Sequence, residues 1–277
     1  IASGDYSHVE GRETITYGNQ AHAEGYNTQA EGNSSHTEGN NTRSMGKYSH
    51  SEGESSYKSD NTIVSFTSND DIITKWKAQK FSLSKGRASH TEGINGLALG
   101  DYSHDEGCRT IATGESAHVE GMGTKAKGLY SHAEGESTNA TGKASHSEGI
   151  YSVASGDYSH AEGNSFANGK ESHSEGGATR TFGQYSHAEG RYAVSLGESS
   201  HAEGESEWNA DSRVTGLSVN TSDDTIINEW KDNKFSLAKG KASHVEGINC
   251  LALGEASHAE GSNTIAGSIN SHAEGSN

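Results

Sequence analysis

"LYSHAEGESTNATG", residues 129–142, is one turn of a pattern that governs the chain. Its His132 and Glu134 stand two positions apart. The same H-x-E-G quartet recurs at His8, His22, His36, His50, His90, His104, His118, His146, His160, His173, His187, His201, His244, His258 and His272, which completes all 16 histidines. Successive histidines are mostly 14 residues apart, with one step of 13 across "GNSFANG" and two long steps, His50 to His90 and His201 to His244. A register this strict is the signature of stacked repeats. Fourteen residues suit one coil of a β-solenoid, two strands of about five residues joined by two tight turns. Glycine supplies both turns. One glycine follows the Glu (Gly11, Gly135, Gly247) and the other closes T-x-A-x-G (Gly32, Gly142, Gly254), where a positive φ or a close backbone approach excludes a Cβ.

Alternation along a strand then assigns faces. In S-H-A-E the Ser and Ala share one face, and His and Glu share the other. In T-x-A-x-G the small residues (Thr28 and Ala30, Thr138 and Ala140, Ser152 and Ala154) are expected inside. Gln29 and Glu31, Lys125 and Lys127, Val153 and Ser155 are expected outside. So thin an interior buries little apolar area per rung, and an isolated coil is marginal. Partner chains are therefore expected. The outer column of the second strand varies among Lys, Gln, Arg, Ile and Asn, as a solvated surface does. The His/Glu column never varies, which points to contact with a neighbouring subunit. The expected structural ladder includes His8 and Glu10, His22 and Glu24, His132 and Glu134, His160 and Glu162, His258 and Glu260.

Composition agrees with a repeat rather than a globule. Of 277 residues 29% are hydrophobic, 36 are Gly and none is Pro, so a thick apolar core cannot form. A formal charge of -17 disfavours nucleic acid and anionic membrane surfaces as partners. No signal peptide or apolar run of membrane-spanning length stands in the sequence, so no membrane insertion is expected of this segment. The chain starts at Ile1, and is read as a segment of a longer protein. Cys108 and Cys250 belong to no C-x-x-C pattern. By rung count they lie roughly 40 Å apart at ~4.8 Å per rung, too far for a disulfide.

The two long steps are insertions, placed at residues 54–80 and 205–234 between solenoid segments 1–53, 81–204 and 235–277. They resemble each other: "SNDDIITKWKAQKFSLSKG" against "TSDDTIINEWKDNKFSLAKG". The flanking histidines match at an offset of 154, so a larger unit is duplicated. The modules hold all three tryptophans, Trp76, Trp208 and Trp230, and apolar residues including Ile63, Val64, Phe66, Ile72, Ile73 and Phe81. A strand over Thr62 to Thr67 is expected. A short helix should follow, with Ser68 or Asn69 as its N-cap and Ile72, Ile73 and Trp76 on one face. Two readings stand side by side. Either the modules are local cores that clasp the trimer, or Lys75, Trp76, Lys77, Trp208, Glu229, Trp230 and Lys231 are receptor contacts.

Specific chemistry has little support in the sequence. H-x-E on one strand face could meet a cation, but no H-E-x-x-H spacing or calcium-binding glycine-aspartate repeat accompanies it, and a His-Glu hydrogen-bond ladder is the expected arrangement. Neither a metal nor a cofactor is expected. No nucleophile elbow, phosphate loop or carboxylate pair interrupts the repeat, so no catalytic residue is assigned. The Thr ladder (Thr14, Thr28, Thr42; Thr110, Thr124, Thr138) reads as interior, against ice binding.

The alternation of "ASGDYSHAEG" and "GESTNATGKASHSEG" resembles the head repeats of YadA-like trimeric autotransporter adhesins, and more closely the SHAEG-type repeats of phage tail-fibre proteins. The resemblance covers everything but the insertions. It implies an all-β fold, a left-handed parallel β-roll of 14-residue coils with two small inserted strand-helix modules, three chains associating as a homotrimer. It also implies a non-enzymatic fibre segment on an extracellular surface or a virion tail, attaching to a host cell-surface glycan or protein. A passive spacer and a polysaccharide-cleaving tail spike are the alternatives. No heptad stalk or anchor barrel stands within this sequence, so a phage fibre fits at least as well as a cellular adhesin. Sixteen rungs at ~4.8 Å would span roughly 75 Å.

Overall fold

A computed structural model describes residues 1–55, 68–79, 81–206, 217–233 and 235–276. Within them the chain divides into two compact units, residues 1–140 and 141–277. Both are parallel β-solenoids built from the same coil. Each coil has a first strand that opens at its histidine, such as His22–Tyr26, and a second strand of only two or three residues, such as Gln29–Ala30. The second strand is shorter than the five residues expected, because a corner residue with positive φ closes in on each side of it.

Identical positions stack on one another. In the first unit His8 pairs with His22 and Glu10 with Glu24. The histidine register then runs through His36, His50, His90, His104, His118 and His132. In the second unit it runs from His146 through His160, His173, His187, His201, His244 and His258 to His272. The step of 13 is absorbed at one corner. His160 pairs with His173, yet Phe166 pairs with Arg180, so the missing residue lies between Asn164 and Phe166 and the strand His160–Ala167 runs straight through.

The interior is made of small side chains. Thr28, Ala30 and Thr37 are fully buried, Ser35 nearly so, and Gln29 and Glu31 face outward, as the alternation predicts. Buried hydroxyls need partners, and backbone carbonyls supply many. Thr138 donates to the Glu134 carbonyl at 3.0 Å and Ser131 to the Gly128 carbonyl at 2.7 Å. The two glycine columns have different reasons. Gly25 has φ +102° and a Cβ there would lie 2.2 Å from the Gly39 carbonyl oxygen; at Gly32 only crowding acts, with a Cβ 1.9 Å from the Gly46 oxygen.

Both insertions leave and rejoin the coil at equivalent points. Glu54 still bridges Asn40, and Thr42 pairs with Ser82, so the first module departs after Ser55. Ser82 N–H donates to Ser55 Oγ at 2.6 Å, and Ser236 N–H to Ser206 Oγ at 2.8 Å, closing each neck with the same serine pair. Each module carries one helix, α1 (Asn69–Gln79) and α2 (Asp223–Asn233). Ser68 Oγ caps α1 by accepting from Asp71 N–H at 3.1 Å, and Ser222 Oγ caps α2 through Thr225 N–H at 3.2 Å. The expected strand over Thr62 to Thr67, with Ile63, Val64 and Phe66, and the residue Trp208 lie outside the described residues.

Candidate functional site

The invariant columns form a ribbon along one face of each unit. In the first unit the imidazoles from His22 to His132 stack at 4.7–4.9 Å with nearly parallel planes, and His8 at the end turns edge-on to His22 at 73°. The second unit stacks likewise from His146 to His272. Strand spacing imposes this, since in-register parallel strands lie about 4.8 Å apart. Most of these side chains are about one-third exposed: 33% for His50 and 28% for Glu52.

The hydrogen-bonded His-Glu ladder expected from sequence is not what the geometry contains. His Nε2 stands 3.8 Å from the Glu carboxylate at His8–Glu10 and His22–Glu24, and 3.5 Å at His132–Glu134 and His258–Glu260. His160 reaches Glu148 of the preceding coil at 3.8 Å, while His146 faces that same glutamate at 3.8 Å. These are ion-pair separations, too long for a good hydrogen bond. Nε2 of His22, His36, His50, His90 and His104 is buried without a hydrogen-bond partner in the single chain. The cause is geometric: two residues on one extended strand face point side by side, and a stacked ring cannot tilt toward its neighbour.

Burial, followed by the adjacent imidazoles, lowers the affinity of the column for protons. His50, His90, His118, His160, His187 and His244 all titrate below an ordinary histidine, with nearby glutamates only partly offsetting the effect. These six imidazoles are therefore neutral near neutral pH. Triplets such as His50, Glu52 and His90, or His173, Glu175 and His187, gather candidate ligand atoms within 4.8 Å of one another. Two nitrogens on one tetrahedral zinc lie about 3.4 Å apart, closer than parallel rings stacked at 4.8 Å allow.

Trp76 and Trp230 turn inward. Trp76 is 5% exposed, packs with Ile72, Leu83, Leu97, Leu99 and Ile111, and donates its indole N–H to the Asn95 carbonyl at 3.0 Å. Trp230 is 6% exposed and donates to the Asn249 carbonyl at 2.9 Å, packed with Ile226, Phe235, Leu237 and Leu251 among others. Each module is thus held to the coils of its own chain by a local core. Lys75 is half-buried and pairs with Asp71 at 3.0 Å; Lys77, Glu229 and Lys231 are exposed.

Sequence reading missed what lies beneath each clasp. The outer column of the second strand was read as solvated, yet Leu83, Leu97, Ile111, Val194, Leu237 and Leu251 in that column are buried under the modules. The signal was present in "GLALG" and "CLALG", where leucines replace the polar residues of other coils. Also missed was Asp105, which takes the alanine position of S-H-A-E-G. It is fully buried, and burial pushes its carboxyl up to about 7 against the weaker pull of Thr110, whose hydroxyl donates to it at 2.8 Å. Room comes from Gly96, where a Cβ would lie 2.1 Å from Asp105 Oδ1. At the duplicated positions the pair is Ala259 and Cys250. Both cysteines are free thiols.

Among known families, the YadA head domain repeat matches residues 246–266 in two copies. No curated protein matches the chain. Among the described residues no helix is long and apolar enough to cross a membrane. The matched residues hold one of the same His-Glu quartets that stack in register through each unit, and over that stretch the chain is similar to YadA head repeats.

Proposed function

We propose that this chain is a head segment of a homotrimeric, left-handed β-roll fibre that attaches to a cell surface, on a bacterial exterior or a phage tail, and performs no catalysis. The observation that carries the reading is the invariant His/Glu ribbon. It is about one-third exposed in the single chain, with an imidazole and a carboxylate side by side on each coil. A face kept identical on every coil suits a contact repeated on every coil with a neighbouring subunit. The YadA head repeats support an adhesin-type assembly. The formal charge of -17 keeps such a head away from nucleic acid and anionic lipid. Its ligand is a host glycan or protein, met by exposed surface away from the ribbon, where Lys77 and Lys231 are exposed charges.

Binding of the fluorescently labelled chain to host cells, alongside its mass in solution, tests the reading. A trimer that binds cells is expected. A trimer that binds no cell type points to a spacer, and loss of polysaccharide from the cells on incubation would restore the cleaving spike.

A further inference from the structure

Each corner that precedes a Ser-His pair holds its residue in the left-handed region. In the first unit three such corners on alternate coils are tyrosines: Tyr48, Tyr102 and Tyr130, at φ +63°, +59° and +59°. Ala88 and Ser116 occupy the coils between them at nearly the same φ. In the second unit Tyr158 and Tyr185 flank Glu171 in the same way. All five side chains are about half exposed, between 49% and 55%. Packing does not require tyrosine there, because Ala, Ser, Glu, Gln20 and Asn270 take the same corner. A bulky residue at positive φ is disfavoured, and a ring that stays half exposed offsets little of that cost.

The corners that carry the rings are fixed. Tyr102 N–H donates to the Arg87 carbonyl at 2.8 Å, Tyr130 N–H to that of Glu115 at 2.9 Å and Tyr158 N–H to that of Lys143 at 2.7 Å, so each corner is pinned to the coil before it. The Arg87 guanidinium lies 4.8 Å from the Tyr102 ring centre and the Lys47 ammonium 4.7 Å from that of Tyr48. Asp101 and Asp157 precede two of the tyrosines. Each accepts one backbone N–H at 2.8 Å through Oδ1 and keeps further acceptor capacity beside the ring.

We propose that these tyrosine corners bind an extended, uncharged polysaccharide, one ring stacking on every second sugar. The inference rests on the attachment reading above and names its ligand class. Coils lie about 4.8 Å apart, close to the advance of one pyranose in an extended chain, so tyrosines on alternate coils meet alternate sugars. Aromatic faces stack on the C–H faces of sugars, and carboxylates accept their hydroxyls. Corners whose backbone is already fixed lose little backbone entropy on binding. The acidic charge of the chain selects uncharged glycans over anionic ones.

Affinity electrophoresis of the assembled chain through hydroxyethyl cellulose, glycol chitin and dextran sulfate tests this, with host-cell binding measured in parallel. Tyr102→Ser and Tyr130→Ser place at these corners the residue that Ser116 already carries, so folding is preserved and checked by an unchanged melting curve. Retardation by at least one uncharged polymer is expected, weakened about tenfold per tyrosine removed, with oligosaccharide affinity rising each time two more sugars are added. Equal retardation of native and doubly substituted chains, retardation by dextran sulfate alone, or no retardation at all overturns the proposal. In any of these cases, cell binding that persists and is abolished by protease treatment of the cells leaves attachment standing with a protein ligand. Absence of both overturns attachment too.

Discussion

Asp105 shows how one residue can carry more physical information than its repeat. The coil tolerates a carboxyl in its interior because Gly96 on the neighbouring coil leaves a notch, and Thr110 donates one hydrogen bond; Oδ2 has no hydrogen-bond partner. The sign of its effect follows from its titration. With a folded value of about 7 against about 3.9 unfolded, its contribution is fully present below the unfolded value and is lost as pH rises to about 7, on the order of 4 kcal/mol in all. Asp105→Ala should remove that slope, and joining it to Gly96→Cys copies the Ala259 and Cys250 pair. Urea unfolding at pH 4.5 and 7.5 should show the paired variant gaining stability over the native chain at the higher pH and converging with it at the lower. A constant difference between the two pH values would mean that Asp105 ionises in the folded chain as it does in water.

At the scale of elements, the modules hold to the coils by one aromatic anchor each. Trp76→Ala should cost about 3–5 kcal/mol and Trp76→Phe less, since Phe keeps part of the ring packing while losing the five-membered ring and its hydrogen bond to the Asn95 carbonyl. Hydrogen exchange should rise in α1 and the coils of Leu83 and Leu97 while the coil of His22 stays protected; a uniform rise would refute a local clasp. Trimming residues 56–81 to a short turn should by itself provoke aggregation by baring Leu83, Leu97 and Ile111. Trimming together with Leu83→Gln, Leu97→Gln and Ile111→Lys, the residue types of uncovered coils, should restore a soluble chain, and equal solubility of the two constructions would show that those leucines are not covered by the module. Much of this scale was legible in the sequence. The period gave the coil, alternation gave its faces, and Ser68 with Asp70 and Asp71 marked the start of α1. What escaped was pairwise and non-local. A leucine in the outer column reads as a variable position until the helix above it is known, and the notch at Gly96 means nothing without the coil that stacks on it. The His-Glu spacing was read as hydrogen bonding because the residues share a face, but sharing a face on one strand does not bring side-chain tips together.

For the whole molecule the histidine column is the feature that couples fold, assembly and environment. Its imidazoles titrate low because they are partly buried and stacked, so the stability they contribute is present above about pH 6.5 and is lost as pH falls through their folded values. This is opposite in sign to Asp105. Charging rings at 4.8 Å spacing adds repulsion along each unit, which the neighbouring glutamates only partly screen. Sedimentation at falling pH should therefore show the assembly weakening between about pH 6.5 and 5, with no change when a chelator is added at neutral pH; dissociation by the chelator would bring metal back to the triplets. The most direct test of the assembly face is hydroxyl-radical footprinting of the histidine rings in the native assembly at neutral pH, read by mass spectrometry. If the ribbon is the contact between subunits, His22, His50, His187 and His258 stay unmodified until the protein is unfolded, although a single chain leaves these side chains about one-third exposed. Rapid modification of these histidines while the assembly stays intact would place the subunit contact on another face.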